Sequence, residues 1–168
     1  CIADLKTNSI WLARDRLGVK PLHLWRDKRA LLFSSEIKSF FACDEFQPSL
    51  DGDQLDEFIS FRYASGSASL LKGVVAVAPG ELVHIGPGGE MQSRRYWSLP
   101  DGAELSSETD LVSSLNHRLR ESVRKQLLSD VKLGSQLSGG IDSSLVSLFA
   151  AQEEGADLDA ISIVFDDL

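Results

Sequence analysis

Between residues 10 and 33, short apolar runs alternate with polar turn signals. This texture predicts strands at 10–13, 22–25 and 30–34 in an antiparallel meander, broken by Gly18 and by the Arg26-Asp27-Lys28 turn. Cys1-Ile2-Ala3 reads as a strand already under way, and 35–41 as a short helix. Asp51 is placed to cap a helix in which Leu55, Phe58 and Ile59 share one face. The small, polar residues 65–69 predict a loop. Strands at 81–85 and 92–97 bracket Gly86-Pro87-Gly88-Gly89, a hairpin-loop sequence.

Beyond residue 98 the period changes. Residues 99–106 have the Pro, Gly and acidic content of a linker. Leu111, Leu115, Leu119, Val123 and Leu127 then recur every four residues among polar ones, predicting a long amphipathic helix that opens with the S-x-x-D signal of Ser107 and Asp110. A strand at 131–137, a Gly-containing loop, a helix at 143–152 stopped by Gly155 and a strand at 160–165 complete the pattern. Strand, helix and strand in that order make a βαβ unit and imply parallel pairing. The expected fold class is α+β: 1–98 forms an antiparallel domain, 99–106 a linker, and 107–168 the first βαβ unit of a parallel sheet. No internal repeat is present.

A hydrophobic content of 43% with 25% charged residues belongs to a globular chain, and the longest apolar run, 74–78, is far too short to span a bilayer. The net charge of −8, from 17 basic and 25 acidic residues, argues against non-specific nucleic-acid binding, which relies on Lys and Arg. It leaves room for ATP, provided backbone amides and a metal hold the phosphates. Cys1 and Cys43 form no CxxC pair, which fits a reducing cytoplasm. The absence of an initiator Met and the arrest of the last strand near residue 165 suggest a piece of a longer protein.

The chemistry concentrates in Leu137-Ser138-Gly139-Gly140-Ile141-Asp142-Ser143-Ser144, where a strand hands over to a helix. Adjacent glycines let backbone N–H groups approach a phosphate, three serines add hydroxyls, and the helix N-terminus adds its positive dipole end. That dipole contributes only about 0.3–1 kcal/mol at an exposed site, too little to neutralise a triphosphate. Mg2+ is therefore expected, with Asp142 as its carboxylate ligand. The loop is not a Walker A motif, because no G-x-x-x-x-G-K-[ST] spacing exists. A turn that merely joined strand to helix would not require these residue types in this order.

S-G-G-x-D-S resembles the signature of the ATP-pyrophosphatase families, in which such a loop holds the β- and γ-phosphates while a substrate oxygen attacks the α-phosphorus. The segment Ala13-Arg14-Asp15-Arg16-Leu17-Gly18-Val19-Lys20-Pro21-Leu22 resembles the A-R-D-x-x-G-x-x-P-L stretch of class II glutamine amidotransferase domains. Ser35-Glu36-Ile37-Lys38 is similar to the stretch that follows it. Pro79-Gly80-Glu81 and Arg95-Tyr96-Trp97 resemble the end of that domain in glutamine-hydrolysing asparagine synthetases, and Asp130-Val131 resembles the opening of their synthetase domain. The likeness runs in register from about residue 3 to 165.

The resemblance implies an Ntn-type antiparallel glutaminase domain followed by an adenine-nucleotide α-hydrolase-like synthetase domain. It implies that an upstream N-terminal Cys, not Cys1, releases ammonia from glutamine. Ammonia then attacks β-aspartyl-AMP to give asparagine, AMP and pyrophosphate. ATP and Mg2+ are the implied cofactors. Aspartate and glutamine are the implied small-molecule substrates, with no nucleic acid, no membrane and room for a homodimer. By the same likeness Leu137 meets the adenosine and Ile163 the adenine, while Ser138, Gly139, Gly140, Asp142, Ser143 and Ser144 surround the pyrophosphate. Lys132 stands where the family often has Pro, and Val164 where Gly is common.

Other residues have plainer readings. Cys1 lacks the Gly that usually follows the nucleophile, and Cys43 reads as a helix-end or core residue. Arg14 and Asp15 read as a structural pair at a turn, and Glu36 and Lys38 as lining the ammonia route or fixing a domain interface. His23, His84 and His117 lack metal-ligand spacing, and the charged residues of the Arg118–Lys125 cluster read as the polar face of their helix. Three alternatives remain: a β-lactam synthetase or a peptide macrocyclase of the same two-domain plan, or a non-catalytic derivative of the fold. The piece by itself is expected to be inactive.

Overall fold

The computed structural model describes residues 1–102, 107–154 and 158–164. It divides into two compact units, Cys1–Asp101 and Gly102–Leu168. The division falls within the stretch read as a linker, of which 103–106 lie outside the described residues.

In the first unit, β1 (Ile2–Asp4), β2 (Ser9–Ala13), β6 (Glu81–Ile85) and β7 (Met91–Arg95) form an antiparallel sheet in the order β1-β2-β6-β7. A second antiparallel sheet has the order β4-β3-β5, built from β3 (His23–Arg26), β4 (Leu31–Ser34) and β5 (Val74–Ala76). Leu12, Val83 and Ile85 of the first sheet pack with Leu24 of the second and with Val77 in one buried cluster. Strand alternation sends the next residue of β3, Trp25, to the opposite face. There it meets Phe40, Phe46 and Val74, with its ring edge-on to Phe46 at 5.2 Å.

The expected meander is therefore corrected. The hairpin β3–β4 forms, but β2 pairs with β6, Leu12 opposite Val83, rather than with β3. The connection through 14–22 is too heavily hydrogen-bonded within itself to act as a tight hairpin turn. The β6–β7 hairpin closes over 86–89 as expected, with Gly89 donating to the Gly86 carbonyl. The short helix is a 3-10 helix, Ile37–Ala42. In α1 (Gly52–Phe61) the Asp51 carboxylate accepts from the Gln54 amide, and the helix ends at Arg62 in the left-handed region.

The second unit opens with α2 (Glu108–Gln126), capped by Ser107, whose Oγ accepts from the Asp110 amide. It continues through β8 (Gly134–Gln136), α3 (Ile141–Glu154) and β9 (Asp159–Ile161), with β8 and β9 parallel. Val123 of α2 and Phe149 and Ala150 of α3 form the core, and the Arg120 guanidinium lies 4.5 Å from the Phe149 ring centroid. The molecule is thus a mixture of α and β with antiparallel sheets and a small parallel one.

Boundaries differ from the sequence reading because regular pairing between β8 and β9 lasts only three positions, Gly134↔Asp159 to Gln136↔Ile161. Residues 131–133 and 162–164 are not strand, and α3 starts two residues earlier than expected. Gly155 and Phe165, read as helix stop and strand end, lie outside the described residues.

Candidate functional site

The loop after β8 is short because Gly139 turns it. Its φ of +82° lies in the left-handed region that side chains disfavour, and α3 begins two residues later. Asp142, expected within the loop, therefore stands with Ser143 in the first turn of the helix. A Cβ added at Gly139 would meet nothing within 4 Å, so this part of the backbone faces open space.

Both ends of the loop are fastened. On the strand side the Leu137 amide donates to the Ile161 carbonyl at 2.9 Å, and Ser162 Oγ donates to the Leu137 carbonyl at 2.6 Å. On the helix side the Gly140 carbonyl accepts from the Ser144 amide at 3.0 Å, Ser144 Oγ at 2.8 Å and Ser143 Oγ at 3.1 Å. Ser138 Oγ and Ser143 Oγ lie 3.0 Å apart. Leu137, Ser138, Gly139, Gly140, Asp142, Ser143 and Ser144 are thus brought into one small cup. Ser138, Gly139, Gly140, Asp142 and Ser144 are exposed, while Leu137 and Ser143 are half-buried.

Ile163 follows the end of β9 rather than lying on it, and is 81% exposed. Ser162, Ser135 and Ser147 brace the cup and were not singled out from sequence. The signal for Ser147 was its position four residues after Ser143, where a hydroxyl can reach back to a helix carbonyl.

Asp142 is the one carboxylate in this first turn, and no cluster of three or more His, Cys, Asp or Glu suited to a metal exists among the described residues. Mg2+ usually takes only one or two carboxylates, with water and substrate phosphates completing its shell. The donor set therefore fits a magnesium ion that arrives with a nucleotide.

Arg14 and Asp15 do not pair with each other. The Arg14 guanidinium donates to the carbonyls of Val77, Gly18 and Lys20, and the Asp15 carboxylate accepts from the amides of Val19, Lys20 and Leu17. The amide bonds, that from Lys20 first, hold the Asp15 carboxyl below the usual aspartate range. Glu36 and Lys38 pair at 2.6 Å on an exposed surface. Cys1 is exposed. Cys43 follows the 3-10 helix and donates its thiol to Glu45, which pushes the thiol pKa up. His84 stacks on Trp11 with centroids 4.1 Å apart. Lys132 pairs with Asp159 at 3.2 Å, so the residue standing in place of Pro has a partner across the parallel pair. No helix among the described residues is long and apolar enough to cross a membrane.

Comparison with known proteins matches the two units separately. A family model described as a glutamine amidotransferase domain covers residues 1–97, and one described as asparagine synthase covers 114–168. The chain is 31% identical to glutamine-hydrolyzing asparagine synthetase 3 of Bacillus subtilis, over 98% of this chain and 27% of that protein. It is 33% identical to asparagine synthetase 2 of the same organism, over 91% and 22%, and 37% identical to amidase chry2 of Gibberella zeae, over 86% and 22%. The chain spans about a quarter of the length of these relatives. With both family models matched in order along it, this chain belongs to the glutamine-hydrolysing asparagine synthetase family.

Proposed function

We propose that the full-length protein forms an amide from a carboxylate, using ATP for activation and glutamine as the nitrogen source, with aspartate as the acceptor and asparagine as the product. The observation that carries the reading is the cup at 138–144, between a parallel strand and a helix N-terminus, within the segment matched to asparagine synthase. The exposed Gly139 backbone and the helix amides receive the outer phosphates, which leave as pyrophosphate, and Asp142 would hold Mg2+. Bound there, the ion would supply neutralisation of phosphate charge. Leu137 and Ile163 are assigned to the adenosine end on the strand side. A cytoplasmic location and an inactive isolated piece go with this reading.

The family membership leaves the acceptor open. The match to amidase chry2, a relative not named an asparagine synthetase, leaves room for a second reading, in which the same adenylation serves a carboxylate other than aspartate. ATP–pyrophosphate exchange by the full-length protein decides between them. Exchange that requires aspartate supports asparagine formation, and exchange that requires another carboxylate supports the second reading. Exchange undiminished in Asp142→Ala would refute the phosphate-site assignment.

A further inference from the structure

A chain of hydroxyls runs from β8 into the first turn of α3. Ser147, one turn into the helix from Ser143, donates its hydroxyl to the Ser143 carbonyl at 2.7 Å, and its oxygen lies 2.5 Å from Ser135 Oγ on β8. A serine hydroxyl has one proton. Ser147 commits its proton to the Ser143 carbonyl, so Ser135 must be the donor in the short contact. The direction is Ser135 to Ser147 to the Ser143 backbone. Ser143 in turn donates to the Gly140 carbonyl and touches Ser138 Oγ at 3.0 Å.

Serine inside a helix, bonding back to the carbonyl four residues earlier, slightly destabilises and bends the helix, so its presence needs a reason. Two apolar residues at 135 and 147 would pack strand against helix without directionality. Two hydroxyls instead fix the separation of β8 from α3 at Ser147, one turn beyond Ser143. Leu137 is held independently from β9, through the Ile161 carbonyl and Ser162. The cup is therefore tied at one end to β9 and at the other to β8, through Ser147.

We infer that Ser147, with Ser135, is a positioning residue for the phosphate cup, setting the height of Ser143 and the first helix amides relative to the strand. The inference rests on the proposed ATP-phosphate reading of 138–144. It concerns residues outside 138–144 that act through Ser143.

The test uses the full-length protein and ATP–pyrophosphate exchange, with the acceptor carboxylate found to support it. Ser147→Ala and Ser135→Ala should each raise KM for ATP by about fivefold, the size expected for one neutral hydrogen bond, and leave KM for the acceptor unchanged. The double variant should be no worse than Ser147→Ala, since that substitution already removes the contact with Ser135. Ser135→Thr, which keeps the donor and suits a strand, should restore the ATP KM and guards against a trivial folding defect. A fall in kcat alone, with both KM values at wild type, would mean a smaller active fraction and would overturn the inference. Additive losses in the double variant would do the same. Asp142→Ala is run in parallel. If it leaves the ATP KM unchanged, the phosphate-site reading itself fails. If it disrupts ATP use while Ser147→Ala does not, only the positioning role fails.

Discussion

The Tyr96 hydroxyl donates to the backbone carbonyl of Arg14 at 2.7 Å, joining residues 82 positions apart in sequence. Tyr96 and Trp97 also donate their amides to the Gly80 carbonyl, and the Arg14 amide donates to Glu81. The strand that leaves the hairpin is thus tied to the loop that follows β2. The three carbonyls held by the Arg14 guanidinium draw 18–20 and 77 into the same knot.

Arg14→Lys keeps the charge but replaces a planar fork with a point donor. It cannot reach three carbonyls lying in different directions, so about 2 kcal/mol of stability should be lost. Hydrogen exchange at the amides of 17–20 in the full-length protein checks this. Exchange there should accelerate well beyond that in the β6–β7 hairpin, and equal exchange in the two regions would contradict the assigned role.

Asp15 makes this loop acid-sensitive in a defined direction. Its folded pKa is depressed, first by the Lys20 amide and then by Val19. A depressed carboxylate contributes stability above its unfolded pKa and loses it as pH falls through the folded one. Amide protection at Val19 and Lys20 should therefore persist through the ordinary aspartate range and disappear only below it. Asp15→Asn should remove that step from the pH profile and lower protection at neutral pH.

The sequence disclosed elements whose signals are local. The hairpin at 86–89 follows from its glycines, α2 from leucines every fourth residue, and its cap from Ser107. The partner of β2 was not legible, because alternation tells which residues face inward but not which distant strand they face. Ile10 pairs with Ile85 through a register that no neighbouring residue specifies. In the candidate site, the residue types of the cup were readable and its braces were not. Ser135, Ser147 and Ser162 act through contacts across 12 and 25 residues of chain, between Ser135 and Ser147 and between Ser162 and Leu137.

Gly80 and Gly139 separate the architecture from the proposed chemistry, because both are left-handed but in different surroundings. At Gly80, with φ +67°, an added Cβ would sit 2.6 Å from the Trp97 carbonyl oxygen, a backbone atom that cannot step aside cheaply. Strain and clash together should cost Gly80→Ala about 3 kcal/mol, visible as a lower melting temperature. At Gly139 a Cβ meets nothing within 4 Å, so only backbone strain of roughly 1–2 kcal/mol applies. Gly139→Ala should therefore remain folded while placing a methyl group where phosphate is proposed to approach. Its expected signature is a small drop in melting temperature with a large rise in KM for ATP. Gly80→Ala should show the reverse pattern, a large drop with the ATP KM of the surviving enzyme unchanged. Unchanged ATP use in Gly139→Ala would mean that phosphate does not approach the loop at that glycine.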